Sequence, residues 1–219
     1  MFRDISIVSF VIVIGAVFLH SLILPVTGKR LYKPIEFIKR LVHLFTLFFI
    51  EQKPGIFAAI RKLIYLLSFL SFVVLFITGF YQLIITGEKI SGYFLMIHVT
   101  FGGVLAACLA VLALMWAENY RFDKNYLPFL NRMLHRQPQS ELPTEKSELL
   151  RKVLFWLIIV LALPLILSVI LSMFPVFGTN WQRLLEEIHR YTALALALII
   201  IIHTYFLTRI KIKKDSQEN

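Results

Sequence analysis

Long apolar runs alternate along the chain with short charged segments. Five runs reach the roughly 20 helical residues that a bilayer crossing needs: Ile5 to Thr27, Leu63 to Ile85, Tyr93 to Ala117, Val153 to Phe177 and Leu184 to Thr208. Inside a bilayer no water is available to satisfy the backbone, so each run is expected to be an α-helix. The pattern changes after the first run. In residues 34–50, PIEFIKRLVHLFTLFFI, the positions Ile35, Ile38, Leu41, Val42, Phe45 and Phe49 recur at helical spacing, with Glu36, Lys39 and Arg40 opposite. That predicts an amphipathic helix lying on a membrane surface, ended by Lys53-Pro54-Gly55. Residues 135–147 contain Pro138, Pro143 and mixed charge and read as an exposed loop. Pro164 is expected to kink the fourth span, and Thr179 and Asn180 are candidate caps of the fifth.

Composition agrees with this pattern. Of 219 residues 58% are hydrophobic and only 16% charged, which excludes an ordinary soluble domain. The longest gaps, roughly 28–55 and 118–152, are too short for a separate one. The expected fold is an all-α membrane protein. The first run is longer than the apolar core of a signal peptide, has no clear small-x-small site, and has its basic residues behind it, so it is read as a retained span. Cys108 is the lone cysteine, in the middle of an apolar run, so there is no disulfide framework.

The net charge of +10 reports topology. Lys29, Arg30, Lys33, Lys39, Arg40 and Lys53 follow the first span; Arg121, Lys124, Arg132, Arg136, Lys146, Arg151 and Lys152 lie between the third and fourth; Arg209, Lys211, Lys213 and Lys214 end the chain. An odd number of spans puts these segments on one face, opposite Arg3, Lys89 and Arg183. The positive-inside bias then places the C-terminus in the cytoplasm and the N-terminus outside. Basic charge so distributed faces membrane lipid and gives no reason to invoke nucleic acid.

Histidines carry the chemistry. Of the six, His189 and His203 lie fourteen residues apart in one apolar run. That spacing returns them to nearly one face of a helix, about 21 Å apart along it. Intramembrane ionisable groups mark function, and haem iron commonly takes axial histidine. His98 and His189 each lie five residues into spans that start on the outer side, so both sit about 8 Å deep. His20 and His203, measured from the basic residues at the inner side, differ in depth by about 5 Å. The expected pairs are His98 with His189 and His20 with His203, with His43 the alternative to His20. His135, in a polar segment, is read as a surface residue. Gly102, Gly103, Ala193 and Ala197 leave room for a flat ligand, although small residues equally permit close helix packing. Arg183 and Arg190 at the outer side, and Arg61, Lys62 and Arg209 at the inner, lie where haem propionates would emerge; the plainer reading is cations reaching the headgroups. Glu186 and Glu187 gain from the dipole at a helix start, with a proton relay as the sharper reading. Two rival functions stay open: a proton-relay transporter using the same histidines, and a non-redox membrane anchor of a larger complex.

At these residues the chain resembles the dihaem cytochrome b superfamily of respiratory dehydrogenases. That superfamily includes the gamma subunit of membrane-bound formate dehydrogenase and the cytochrome b subunit of membrane-bound nickel-iron hydrogenases. The resemblance rests on the His189/His203 pair, on HVTFGG at 98–103, and on Thr78-Gly79 closing the first core helix. That helix usually opens with arginine, two residues, then His-Trp; here Arg61 is kept but Ile64 and Tyr65 replace the ligand and its neighbour. The resemblance implies a four-helix haem-binding core over 56–210, preceded by an extra span (1–28) and the amphipathic segment (29–55) and followed by a basic tail (211–219). It implies two haem b groups; the simplest account of the displaced ligand is that the extra span supplies it through His20, the alternatives being His43 or no inner haem. It also implies an electron-transfer subunit of a quinone-linked oxidoreductase in a prokaryotic inner membrane. Its partners would be a periplasmic iron–sulfur or multihaem subunit and menaquinone or ubiquinone, the quinone lying near His203 and Thr204.

Overall fold

The computed structural model describes residues 1–23, 56–122, 143–174 and 178–215. The amphipathic segment 34–50, His43 and His135 lie outside these. The described residues form five α-helices: α1 (Phe2–Ile23), α2 (Ile56–Tyr81), α3 (Gly92–Trp116), α4 (Pro143–Met173) and α5 (Thr179–Asp215). No strand occurs among them. Helices α1 to α4 each contain a stretch long and apolar enough to cross a membrane. Helix α5 has charged ends around an apolar centre and runs for 37 residues, well beyond its apolar run.

Local chemistry explains the boundaries. A single π turn, Gln82–Thr86, extends α2 at its C-terminal end, and Gly87 closes it with φ 71°, donating its N–H to the Gln82 carbonyl at 3.1 Å. Only glycine is at ease in that conformation, and a side chain there would also meet the Arg3 guanidinium at 3.3 Å. Helix α4 starts at Pro143, earlier than the expected loop end, because proline at the first helical position gives up an N–H that would have no partner anyway. Pro164 lies inside the same helix and deprives the Val160 carbonyl of its helical donor.

Two hairpins make the bundle. Helices α2 and α3 pack along each other, as do α4 and α5, whereas α3 meets α4 more sparingly. Helix α1 lies along α5 and touches the π turn. It runs parallel to α5, because Phe2 packs edge-on against Tyr191 (ring centroids 5.0 Å apart) at one end and His20 against Tyr205 (5.7 Å) at the other. Between these contacts Phe10, Phe80, Leu194 and Ala197 form a buried cluster that joins α1, α2 and α5. A second cluster sits toward the other end, where Tyr120 stacks on Phe155 at 4.3 Å and Trp116 touches Tyr65 at 5.6 Å. Trp156 closes it by donating its indole N–H to the Tyr120 carbonyl at 3.0 Å.

The exterior is apolar. Val11, Phe18, Leu63, Leu114, Leu163 and Ile23 are among the large side chains left outside; such extended apolar surface suits lipid, not water. Inside, small residues let helices approach, as is usual in membranes: Ser6 and Ser71 are wholly buried, and Cys108 is buried with Leu105 and Leu112 on α3.

Candidate functional site

The two hairpins face one another at His98 of α3 and His189 of α5. Their ring centroids are 6.3 Å apart, with planes at 75°. The Nδ1 atom of each ring is already engaged. His98 Nδ1 lies 2.9 Å from Thr78 Oγ1, and that hydroxyl donates its hydrogen to the Val74 carbonyl at 2.8 Å. The Thr78 oxygen is therefore the acceptor and His98 Nδ1 carries the proton. His189 Nδ1 lies 3.4 Å from the Leu165 carbonyl oxygen, which can only accept, so this Nδ1–H donates as well. In both rings the hydrogen-bond partners assign the lone pair to Nε2. A metal-binding histidine is usually held in this way, its second nitrogen donating to a carbonyl or similar acceptor.

The separation fits a shared metal. An imidazole nitrogen sits about 2 Å from its metal and about 1 Å from its own ring centre, so two imidazoles across one metal place their centroids about 6 Å apart. Among the described residues no cluster of three or more His, Cys, Asp or Glu forms that could hold an ion by itself. A pair of imidazoles would instead suit haem iron, which commonly takes axial histidine. Space around the pair is consistent with a flat ligand: a Cβ added at Gly102 would meet nothing within 4 Å. Ala193 is half-buried, whereas Ala197 belongs to the Phe10–Phe80–Leu194 cluster and serves packing. Gly79 is close to the ring, since a Cβ there would stand 3.2 Å from His98 Cε1.

Charged groups surround the bundle end nearer His189. Glu186 bonds Lys89 Nζ at 2.9 Å and pairs with Arg190 one turn on. A cleft of about 740 Å³ opens here, bordered by Ser168, Ser172, Arg183, Glu186, His189 and Arg190. A carboxylate entering it would meet two guanidinium groups, one of them shared with Glu186.

The level of His203 is arranged differently. His203 is half-buried, and its Nδ1 has no hydrogen-bond partner; Arg151, whose guanidinium lies over the Tyr120 ring at 5.6 Å, is near enough to act on it electrostatically. His20 reaches the depth of His203 but its Nδ1 lies 2.7 Å from the Tyr205 hydroxyl, and its ring packs edge-on against Tyr205 and Phe206. The structure thus brings His98 and His189 together and sets the His20 ring against Tyr205 and Phe206. Thr204 donates its hydroxyl hydrogen to the Ile200 carbonyl at 2.8 Å. Arg61 is exposed near the start of α2, and Tyr65 enters the Trp116 cluster.

Several groups escaped the reading of the sequence. Thr78 stood out only through the resemblance, and the Leu165 carbonyl only as the neighbour of Pro164. Arg151 counted as one more topological cation. Tyr205 gave no signal apart from lying two residues beyond His203.

Apolar helical hairpins that bring two imidazoles together define an all-α membrane protein with a paired-histidine site. The family model of prokaryotic cytochrome b561 matches residues 56–217, most of the chain, and the chain belongs to that family. It is a multi-pass membrane b-type cytochrome of electron transfer, and haem b is the cofactor the family implies. The match starts at the first residue of α2, so α1 lies outside it. No curated protein and no solved structure matches the chain.

Proposed function

We propose that the chain is the dihaem subunit of a quinone-linked oxidoreductase complex, passing electrons through the membrane between a partner at the outer face and the quinone pool. The observation that carries this reading is the His98–His189 pair, 6.3 Å apart and tautomerically matched by Thr78 and the Leu165 carbonyl. Haem, when bound, supplies the one-electron couple; the chain supplies ligands, orientation and dry surroundings. His98 and His189 serve the outer group, with Arg190 and Arg183 beside the cleft as partners for its propionates and Gly102 leaving it room. His203 serves the inner group, and its orphaned Nδ1 marks a site made for something more than the described residues provide. The second inner imidazole is His20, turned from Tyr205, with His43 the alternative. Arg61 lies on the inner side for a propionate, and Thr204 borders the quinone.

Orientation follows from the basic segments: N-terminus periplasmic, C-terminus cytoplasmic. The outer partner is then a periplasmic iron–sulfur or multihaem subunit, and the quinone is menaquinone or ubiquinone at the inner level.

A reduced-minus-oxidised spectrum of the purified protein, with haem counted by pyridine haemochrome, tests this. Two haems per chain are expected. His189→Ala removes the outer one, and His20→Ala the inner one while His43→Ala keeps both. Loss on His43→Ala and not on His20→Ala transfers the ligand to His43. A colourless protein from haem-replete cells overturns the proposal.

A further inference from the structure

We infer that Thr78 is a positioning residue that sets the electron-donating strength of His98, and through it the redox potential of the outer haem. The inference rests on the proposed ligation by His98 and His189 and adds a role for a residue that does not itself touch the metal.

Four observations support it. The Thr78 hydroxyl is locked, because its hydrogen goes to the Val74 carbonyl at 2.8 Å, one turn back in the same helix. Its oxygen therefore presents a lone pair to His98 Nδ1 at 2.9 Å from a fixed place. Thr78 is only 5% exposed, so no water is at hand to replace the hydroxyl if it is removed. The neighbouring Gly79 lets the ring come this close, a Cβ there standing 3.2 Å from Cε1 and 3.7 Å from Nδ1. Thr78 and Gly79 on α2 thus seat a ring carried by α3: one residue fixes the hydrogen bond and the other clears the space.

The two sides of the pair differ in a way that singles out Thr78. His189 donates to a backbone carbonyl, which no side-chain change removes. His98 donates to a side chain, so its bond is the one that sequence can adjust. An acceptor on Nδ1–H draws the proton outward and makes the opposite nitrogen a stronger donor. A stronger donor favours the more positive, oxidised metal, and second-shell hydrogen bonds are an established lever on potential. Removing the acceptor therefore raises the potential.

The test compares Thr78→Val, which keeps the shape and loses the acceptor, with Thr78→Ser, which keeps the acceptor. Potentiometric titration of the purified protein, followed optically, reads each haem, and the haem that His98→Ala abolishes is the one to watch. The Val variant is expected to move that haem upward and leave any other in place, and the Ser variant to stay near wild type. If Val releases haem altogether, retention by Ser supports the inference and loss from both overturns it. An unmoved or lowered potential in the Val variant, an equal shift in Ser, or a common shift of all haems also overturns it. Absence of haem from the wild-type protein is a separate result that defeats the ligation itself.

Discussion

Residues decide this structure mainly where polar atoms or tight spaces occur inside it. Ala197 is 1% exposed, enclosed by Phe10, Phe80 and Leu194. Ala197→Leu overfills that space and should cost about 1–3 kcal/mol, read as a lower midpoint when the detergent-solubilised protein is heated or titrated with denaturant. The histidines were legible because an imidazole in an apolar run is conspicuous and fourteen residues is a helical repeat. Thr78 was not. Thr100, Thr192 and Thr204 make the same hydrogen bond to the carbonyl four residues back, and Thr78 besides lies 2.9 Å from a histidine ring nitrogen. That difference is created by the packing of α2 on α3, and no local pattern encodes it. The same holds for Tyr205, whose hydroxyl finds His20 across 185 positions of sequence.

At the scale of elements, hydropathy located every helix among the described residues, because a bilayer enforces both length and hydrogen-bonded backbone. It located their ends less well. Helix α4 continues back to Pro143 and α5 runs on to Asp215, since a helix that leaves lipid has no reason to stop until its sequence makes it. Which helix lies beside which was legible only through the histidine pairs, which set α1 and α3 against α5; the separated contacts of α1 at Phe2, Phe10 and His20 were not. A chain without residues 1–23 uncovers Phe80, Leu194 and Ala197 but leaves His98 and His189 in place. We expect it to retain the outer haem, lose the inner one and melt at lower temperature; absorbance and a thermal scan check all three. Tyr205→Phe, the milder change, should cost about 0.6 kcal/mol, typical of a hydrogen bond between membrane helices.

For the molecule as a whole, the distribution of Lys and Arg predicts that the tail after α5 faces the cytoplasm. A fluorescent protein fused to the C-terminus should therefore glow, and an alkaline phosphatase fused there should stay inactive; the reverse result inverts the molecule. The parallel contact between α1 and α5 also bears on how the chain is made. Each hairpin can close as soon as its own two helices have left the ribosome. The first helix can meet α2 early but must wait for α5 to complete its seat, because its other companions Tyr191, Leu194 and Tyr205 are translated last of the described helices. Until then α1 has only its contacts with α2, where Phe10 meets Phe76 and Phe80, and its seat is finished when α5 arrives to cover the other side.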